Sequence, residues 1–127
     1  MSGTLSVMVV EDDVLLRRSV MDMLDDLGHT GIEVPNATAA LRVLESHRPI
    51  QVMMVDVNLP GMNGRQLATI ARGLRSDLRI VFATGHGSER LGQLADDPMA
   101  RYLPKPYRLD DLENALNSLR IPSHPVA

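Results

Sequence analysis

The sequence predicts an α/β fold in which one five-stranded parallel sheet carries helices on both of its faces. Short, almost uninterrupted apolar runs alternate along the chain with stretches in which apolar residues recur every three or four positions. Runs of the first kind are typical of strands that are covered on both faces, and stretches of the second kind are typical of amphipathic helices. The order is βαβαβαβαβα, which favours parallel strands joined by right-handed helical crossovers.

The five strands are predicted with unequal strength. Residues 5–10 (LSVMVV), 52–55 (VMMV) and 80–83 (IVFA) are nearly continuous apolar runs. Residues 30–34 (TGIEV) and 101–103 (RYL) are weaker candidates, because polar residues interrupt them. We expect all five strands in one sheet.

The helices are predicted from apolar stripes and from residues that favour helix ends. The first stripe runs from Leu16 to Leu27 and stops at Gly28, a residue type that favours a helix C-terminus. Asp13 suits the N-cap of this helix, since an acidic side chain there accepts hydrogen bonds from free backbone N–H groups. The remaining stripes span residues 40–44, 67–74, 91–95 and 109–119, of which the third is the weakest.

Composition limits the class of protein. The chain has 127 residues, of which 44% are hydrophobic and 23% charged, as in a single globular domain. A net charge of −3 argues against a broad basic face for nucleic acid, and the lack of cysteine excludes disulfides and thiolate metal sites. No apolar run approaches the ~20 residues of a membrane span, and no basic segment typical of a signal peptide precedes the first run. We expect a cytoplasmic domain over residues 1–121, followed by a tail over residues 122–127.

Polar and charged side chains gather at the ends of the predicted strands. They are Glu11 and Asp12 after the first strand, Asp56 at the end of the third, Thr84 at the end of the fourth and Lys105 after the fifth. Sites in parallel sheets form outside the carboxyl ends of the strands, so we expect these side chains to lie close together.

The chemistry of this group suits phosphoryl transfer. Crowded carboxylates repel one another and favour a bound cation, and a set of oxygen ligands suits Mg²⁺ or Mn²⁺ rather than Zn²⁺. A lysine ammonium and a threonine hydroxyl can neutralise and orient phosphoryl oxygens. The chain has neither GxxxxGK[ST] nor GxGxxG, so we do not expect a bound nucleotide. The nucleophile is then a protein side chain, and Asp56 is the central carboxylate.

Four motifs, in order along almost the whole chain, resemble the receiver domain of two-component response regulators. They are "VMVVEDD", "MMVDVNLPGMNG", "FATG" and "YLPKPY". The resemblance implies a doubly wound (βα)₅ fold of the flavodoxin and CheY type. It also implies that Asp56 accepts a phosphoryl group from a phosphohistidine of a histidine kinase or phosphotransfer protein. Such a domain is a regulatory phosphoacceptor that catalyses only its own phosphorylation and dephosphorylation.

The resemblance also implies a metal site. Glu11 and Asp12 match the family's acidic pocket, with Asp12 the more direct Mg²⁺ ligand, and Asp56 contributes its carboxylate. Asn58 matches the position whose backbone carbonyl completes the metal shell.

A conformational switch is implied as well. Thr84 and Lys105 match the hydroxyl and the amine that contact the phosphoryl group, and the peptide between Lys105 and Pro106 is expected to be cis. Tyr102 matches an aromatic residue that rotates when Thr84 moves inward. This rotation reshapes the surface of the fourth predicted helix, the fifth strand and the fifth predicted helix, where a downstream protein partner binds. The stretch "FATGHGS" is similar to the "FATGYG" signature of receivers that often lack an output domain, with His86 in place of the tyrosine.

Three alternatives remain open. A phosphatase of the haloacid-dehalogenase type also uses an aspartate nucleophile, but its second acid would stand where this chain has Asn58. A flavodoxin-like cofactor carrier shares the topology, but the acids after the first strand would repel a flavin phosphate. The chain could also be a receiver-fold binding module that acts without phosphorylation.

Overall fold

The computed structural model describes residues 4–85 and 98–119, which form five strands and four helices. In chain order they are β1 (Ser6–Val10), α1 (Val14–Asp26), β2 (Thr30–Val34), α2 (Ala37–Glu45), β3 (Val52–Asp56), α3 (Gly64–Leu74), β4 (Arg79–Thr84), β5 (Ala100–Pro104) and α4 (Leu109–Ser118). All five predicted strands are confirmed, and α4 is the fifth predicted helix. The fourth predicted helix over residues 91–95, His86 and the predicted tail over residues 122–127 lie outside the described residues.

The strands form one sheet in the order β2-β1-β3-β4-β5, and every neighbouring pair is parallel. This confirms the predicted α/β fold with a doubly wound parallel sheet. The strand order brings the ends of β1, β3, β4 and β5 next to one another along one edge, where the sequence predicts the group of polar and charged side chains.

Helices cover both faces of the sheet because alternate strand residues point to opposite sides. On one face, Val7 and Val9 of β1 pack with buried residues of α1 and α4, such as Leu24 and Leu116. On the other face, Met8 and buried residues of the adjacent strands pack against α2 and α3. All five residues of β3 are buried, as expected for the central strand of such a sheet.

The start of α1 is determined by local hydrogen bonds. Asp13 is the N-cap, and its Oδ1 accepts a hydrogen bond of 3.1 Å from the backbone N–H of Leu16, as the sequence predicts. After α1, Gly28 adopts a φ of +82°, a left-handed conformation that favours glycine. None of the helices in the described ranges is long and apolar enough to cross a bilayer.

Candidate functional site

Five of the predicted residues meet at the carboxyl edge of the sheet. We call Glu11, Asp12, Asp56, Thr84 and Lys105 the strand-end cluster. They come from the ends of β1, β3, β4 and β5, which are neighbours in the sheet.

Asp56 lies at the centre of the strand-end cluster. It is the last residue of β3 and is only 8% exposed. Its Oδ2 accepts a hydrogen bond of 2.7 Å from the Nζ of Lys105, and its Oδ1 accepts one of 2.8 Å from the backbone N–H of Asn58. These two contacts orient a carboxylate that would be costly to bury alone.

Three carboxylates of the cluster are close enough to share a cation. Glu11, Asp12 and Asp56 each offer an oxygen that lies within 4.8 Å of the others. Glu11 and Asp56 are buried, whereas Asp12 is exposed, so the group opens to solvent on one side. A set of carboxylate oxygens with an open side fits a hard divalent cation such as Mg²⁺, which usually keeps several water ligands.

Asn58 is exposed in the loop that follows β3. Its backbone N–H contacts Asp56, which fixes the start of this loop. The role of its carbonyl as a metal ligand stays a prediction.

Thr84 brings a buried hydroxyl to the same edge. It ends β4 and is 5% exposed, and its Oγ1 has no hydrogen-bond partner among the described residues. A buried hydroxyl without a partner costs free energy, so this one is available to donate a hydrogen bond to a ligand. The backbone carbonyl of Thr84 accepts a hydrogen bond of 2.7 Å from the backbone N–H of Lys105, which ties the two residues together.

The loop after Lys105 also takes the predicted form. The Lys105–Pro106 peptide is cis, which confirms the expectation from the sequence.

Burial and neighbouring charges shift the pKa values of three groups here. Burial raises the pKa of the Glu11 carboxyl, although the N–H of Asp13 and the ammonium of Lys105 oppose this. Burial alone would lower the pKa of Lys105, but the hydrogen bond to Asp56 and the surrounding carboxylates raise it above its ordinary value. Lys105 is therefore a firmly protonated cation at neutral pH. Burial also raises the pKa of the Tyr107 hydroxyl, which stays neutral.

Tyr102 lies on a face of the sheet rather than at its edge. It pairs with Phe82 across β4 and β5, and the two rings stack with centroids 5.2 Å apart and planes inclined by 20°. Tyr102 is half-buried, and Thr84 stands two residues beyond Phe82 on β4. The residue predicted to switch is thus near the strand-end cluster but outside it.

The loop between β3 and α3 approaches Asp56 very closely. Asn63 caps α3 and forms reciprocal hydrogen bonds with Gln66, which starts the helix. A Cβ atom on Gly64 would lie 2.5 Å from the backbone oxygen of Asp56, so only glycine fits there without a shift. The N-terminus of α3 is therefore built directly against the backbone of Asp56.

Sequence reasoning did not identify Arg17, which reaches the acidic loop from α1. Its Nη1 donates a hydrogen bond of 2.8 Å to the backbone carbonyl of Glu11. The signal available in the sequence is weak, since an arginine four residues after Asp13 on a helix is usually a surface residue.

Comparisons with known proteins agree with this geometry. The family model described as response regulator receiver domain matches residues 7–117. The two-component response regulator PhoP of Pseudomonas aeruginosa is 36% identical over 121 residues, which cover 91% of this chain and 51% of that protein. The response regulator receiver protein CpdR of Brucella abortus is 31% identical over 116 residues, which cover 91% of this chain and 96% of that protein. The chain therefore spans about half of the first relative and nearly all of the second.

Solved structures show the same fold. A response regulator receiver domain protein from Clostridium thermocellum superposes with a TM-score of 0.80 at 24% identity, over 91% of this chain and 94% of that one. The chemotaxis response regulator CheY4 of Vibrio cholerae gives a TM-score of 0.80 at 23% identity, over 93% of this chain and all of that one (100%). Together with the family model and the relatives above 30% identity, these matches show that the chain belongs to the receiver domains of two-component response regulators.

Proposed function

We propose that Asp56 accepts a phosphoryl group from the phosphohistidine of a histidine kinase or of a phosphotransfer protein. The observation that carries this proposal is the contact of 2.7 Å between Lys105 Nζ and Asp56 Oδ2, inside a group that also holds two more carboxylates. A nucleophilic carboxylate, a fixed cation and ligands for a second cation are the parts that phosphoryl transfer to a side chain requires.

The proposed step forms a bond between a carboxylate oxygen of Asp56 and the phosphorus atom. The bond from phosphorus to the imidazole nitrogen of the donor breaks, and the imidazole keeps the electron pair. Lys105 offsets the negative charge of the phosphoryl oxygens, because its pKa is raised and it stays protonated. Thr84 donates its hydroxyl, which has no hydrogen-bond partner in the described part of the chain, to one of these oxygens.

Mg²⁺, or Mn²⁺, is the proposed cofactor. Glu11, Asp12, Asp56 and the backbone carbonyl of Asn58 would hold it. When bound, it supplies the second positive charge that lets an anionic phosphoryl group approach several carboxylates.

The apolar start of α1 supports docking of a protein donor. Val14 and Leu15 are 54% and 82% exposed, and they follow directly after the acidic loop. Apolar side chains that are exposed beside a reactive site favour a protein partner over a small free substrate.

The output is proposed to be a change in the surface of the predicted fourth helix, β5 and α4. Thr84 moves toward the phosphoryl group, and Tyr102 turns into the space that Thr84 leaves. The half-buried position of Tyr102 beside Phe82 supports this, since a partly exposed ring can shift between two packings. A downstream protein would bind more tightly to the surface that forms when Tyr102 has turned into this space.

Phosphotransfer to an Asp56→Asn variant tests the proposal. We expect labelling of the unsubstituted chain by a phosphorylated kinase or by acetyl phosphate, and no labelling of D56N. Asp77→Asn is the matched control, because it makes the same chemical change in the exposed loop before β4, at the opposite edge of the sheet. Full labelling of D56N, with circular dichroism unchanged, would exclude Asp56 as the acceptor.

The alternatives give different outcomes. A haloacid-dehalogenase type phosphatase would turn over a generic phosphomonoester, and the position of its second acid holds Asn58. A binding module that acts without phosphorylation would leave both the unsubstituted chain and D56N unlabelled.

A further inference from the structure

We infer that Arg17 is a positioning residue that orients the acidic loop, and Asp12 in particular, for binding of a divalent cation. This inference rests on the metal site proposed above. It assigns a function to a side chain whose hydrogen bonds, within the described residues, go to Glu33 and to the carbonyl of Glu11 and not to the proposed metal ligand atoms.

Arg17 controls a peptide plane rather than a side chain. Its Nη1 donates a hydrogen bond of 2.8 Å to the backbone carbonyl of Glu11. That carbonyl belongs to the planar peptide unit that ends at the Cα of Asp12. An arginine that holds this oxygen therefore limits the rotation of the plane, and with it the direction in which Asp12 projects its carboxylate. Asp12 needs such help because it is exposed.

Arg17 is itself held by β2. Its Nε donates a hydrogen bond of 2.9 Å to the Oε1 of Glu33, and its side chain is only 13% exposed. The next residue of β2, Val34, accepts a hydrogen bond of 3.2 Å from the backbone N–H of Glu11. The end of β2 thus holds both backbone polar groups of Glu11, the N–H directly and the carbonyl through Arg17.

The planar guanidinium suits this position. One nitrogen binds the carbonyl of Glu11 while another binds Glu33, which requires two donors in a fixed relative geometry. Lysine has a single compact ammonium, and Arg17→Lys should keep only one of the two contacts.

Electrostatics alone predicts the opposite effect on metal binding. A positive charge beside a cation site repels the cation, so loss of Arg17 should strengthen binding if charge were its only contribution. If Arg17 positions Asp12, its loss should weaken binding. The sign of the change therefore separates the two explanations.

The test is direct titration of the unphosphorylated full chain with Mn²⁺, followed by the electron paramagnetic resonance signal of free Mn²⁺, and with Mg²⁺ by calorimetry. We expect Arg17→Ala to raise the dissociation constant about 10-fold, as loss of an outer contact to a metal site commonly does. Arg17→Lys should give an intermediate value, and Asp12→Ala, which removes a ligand, should bind most weakly.

Arg18→Ala is the matched control. Arg18 is the next residue of α1, carries the same charge, and its Nε lies 3.6 Å from the Oε1 of Glu33. Its side chain is 69% exposed, and in the described part of the chain the hydrogen bond to the carbonyl of Glu11 comes from Arg17 and not from Arg18. We expect R18A to bind Mn²⁺ as tightly as the unsubstituted chain, or slightly more tightly. Thermal unfolding in a chelator identifies any variant that is simply destabilised.

If folded R17A binds Mn²⁺ as tightly as the unsubstituted chain, or more tightly, this inference is overturned while the proposed metal site stands. Equal weakening in R17A and R18A would also overturn it, because the effect would then not depend on the hydrogen bond that Arg17 donates to the carbonyl of Glu11. If the unsubstituted chain bound neither ion saturably, the proposed metal site and this inference would both fail.

Discussion

Asp56 stands where an apolar strand ends, and this position suits the phosphoacceptor role that we propose for it. All residues of β3 are buried, so the backbone that carries the carboxylate has little freedom. The N–H of Asn58 and the ammonium of Lys105 each bind one carboxylate oxygen. An oriented, charge-paired carboxylate is a better acceptor than a mobile one, because the geometry of attack is established before the donor arrives.

At the residue scale, the proposed switch predicts a change around Tyr102. The chain contains two tyrosines, so a Tyr107→Phe variant has Tyr102 as its only one. With 3-fluorotyrosine incorporated, we expect the ¹⁹F resonance of Tyr102 to shift on phosphorylation, because the ring leaves its stacked position on Phe82. Solution NMR before and after treatment with acetyl phosphate and Mg²⁺ measures this.

The Asp56→Asn change in the same Y107F background is the control, since it receives the same reagents without accepting a phosphoryl group. A Tyr102 resonance that stays in place in a fully phosphorylated chain would contradict the switch.

At the scale of elements, two helix starts build the site. The N-cap of α1 is Asp13, directly after Glu11 and Asp12, and α3 starts at Gly64 against the backbone of Asp56. The backbone N–H of Gly64 also donates a hydrogen bond of 2.8 Å to the carbonyl of Val57. The starts of α1 and α3 thus determine the positions of the loops next to the strand-end cluster.

Gly64→Ala should damage both stability and phosphorylation. The added Cβ would lie 2.5 Å from the Asp56 oxygen and 2.9 Å from the Val57 Cα, so backbone must move. We expect the free energy of unfolding to fall by about 1–3 kcal/mol, the usual cost of overpacking. Urea denaturation and the rate of labelling by acetyl phosphate measure the two effects.

Gly73→Ala is the matched control on the same helix. A Cβ there meets nothing within 4 Å, and alanine is the better helix former by about 1 kcal/mol. We therefore expect the free energy of unfolding to fall in G64A and to rise in G73A. A G64A chain as stable and as readily labelled as G73A would show that the close approach of α3 to Asp56 does not matter.

At the scale of the whole molecule, hydrophobic patterning predicts the described strands and helices because burial on two faces leaves a clear signal. The ends of the predicted strands then identify the strand-end cluster, since parallel strands share one carboxyl edge. Glu11, Asp56 and Lys105 are far apart in the sequence, yet their positions at strand ends predict that they share one edge. The order of strands within the sheet was not predicted, because periodicity does not say which strands are neighbours.

Contacts between arginines and distant backbone carbonyls could not be predicted either. Arg17 binds the carbonyl of Glu11, and Arg75 binds those of Leu44, Ser46 and Arg48. Such contacts depend on the reach of a long side chain across two packed elements. An exposed arginine and one that holds a loop look the same in the sequence.

The most direct test of the account is to locate the phosphoryl group in the phosphorylated chain. Borohydride reduces an aspartyl phosphate to homoserine, and peptide mass spectrometry then identifies the residue. After transfer from a phosphohistidine donor, the account predicts homoserine at residue 56 and at no other aspartate. Homoserine at Asp12, or phosphate still bound to a histidine, with Asp56 intact, would contradict it.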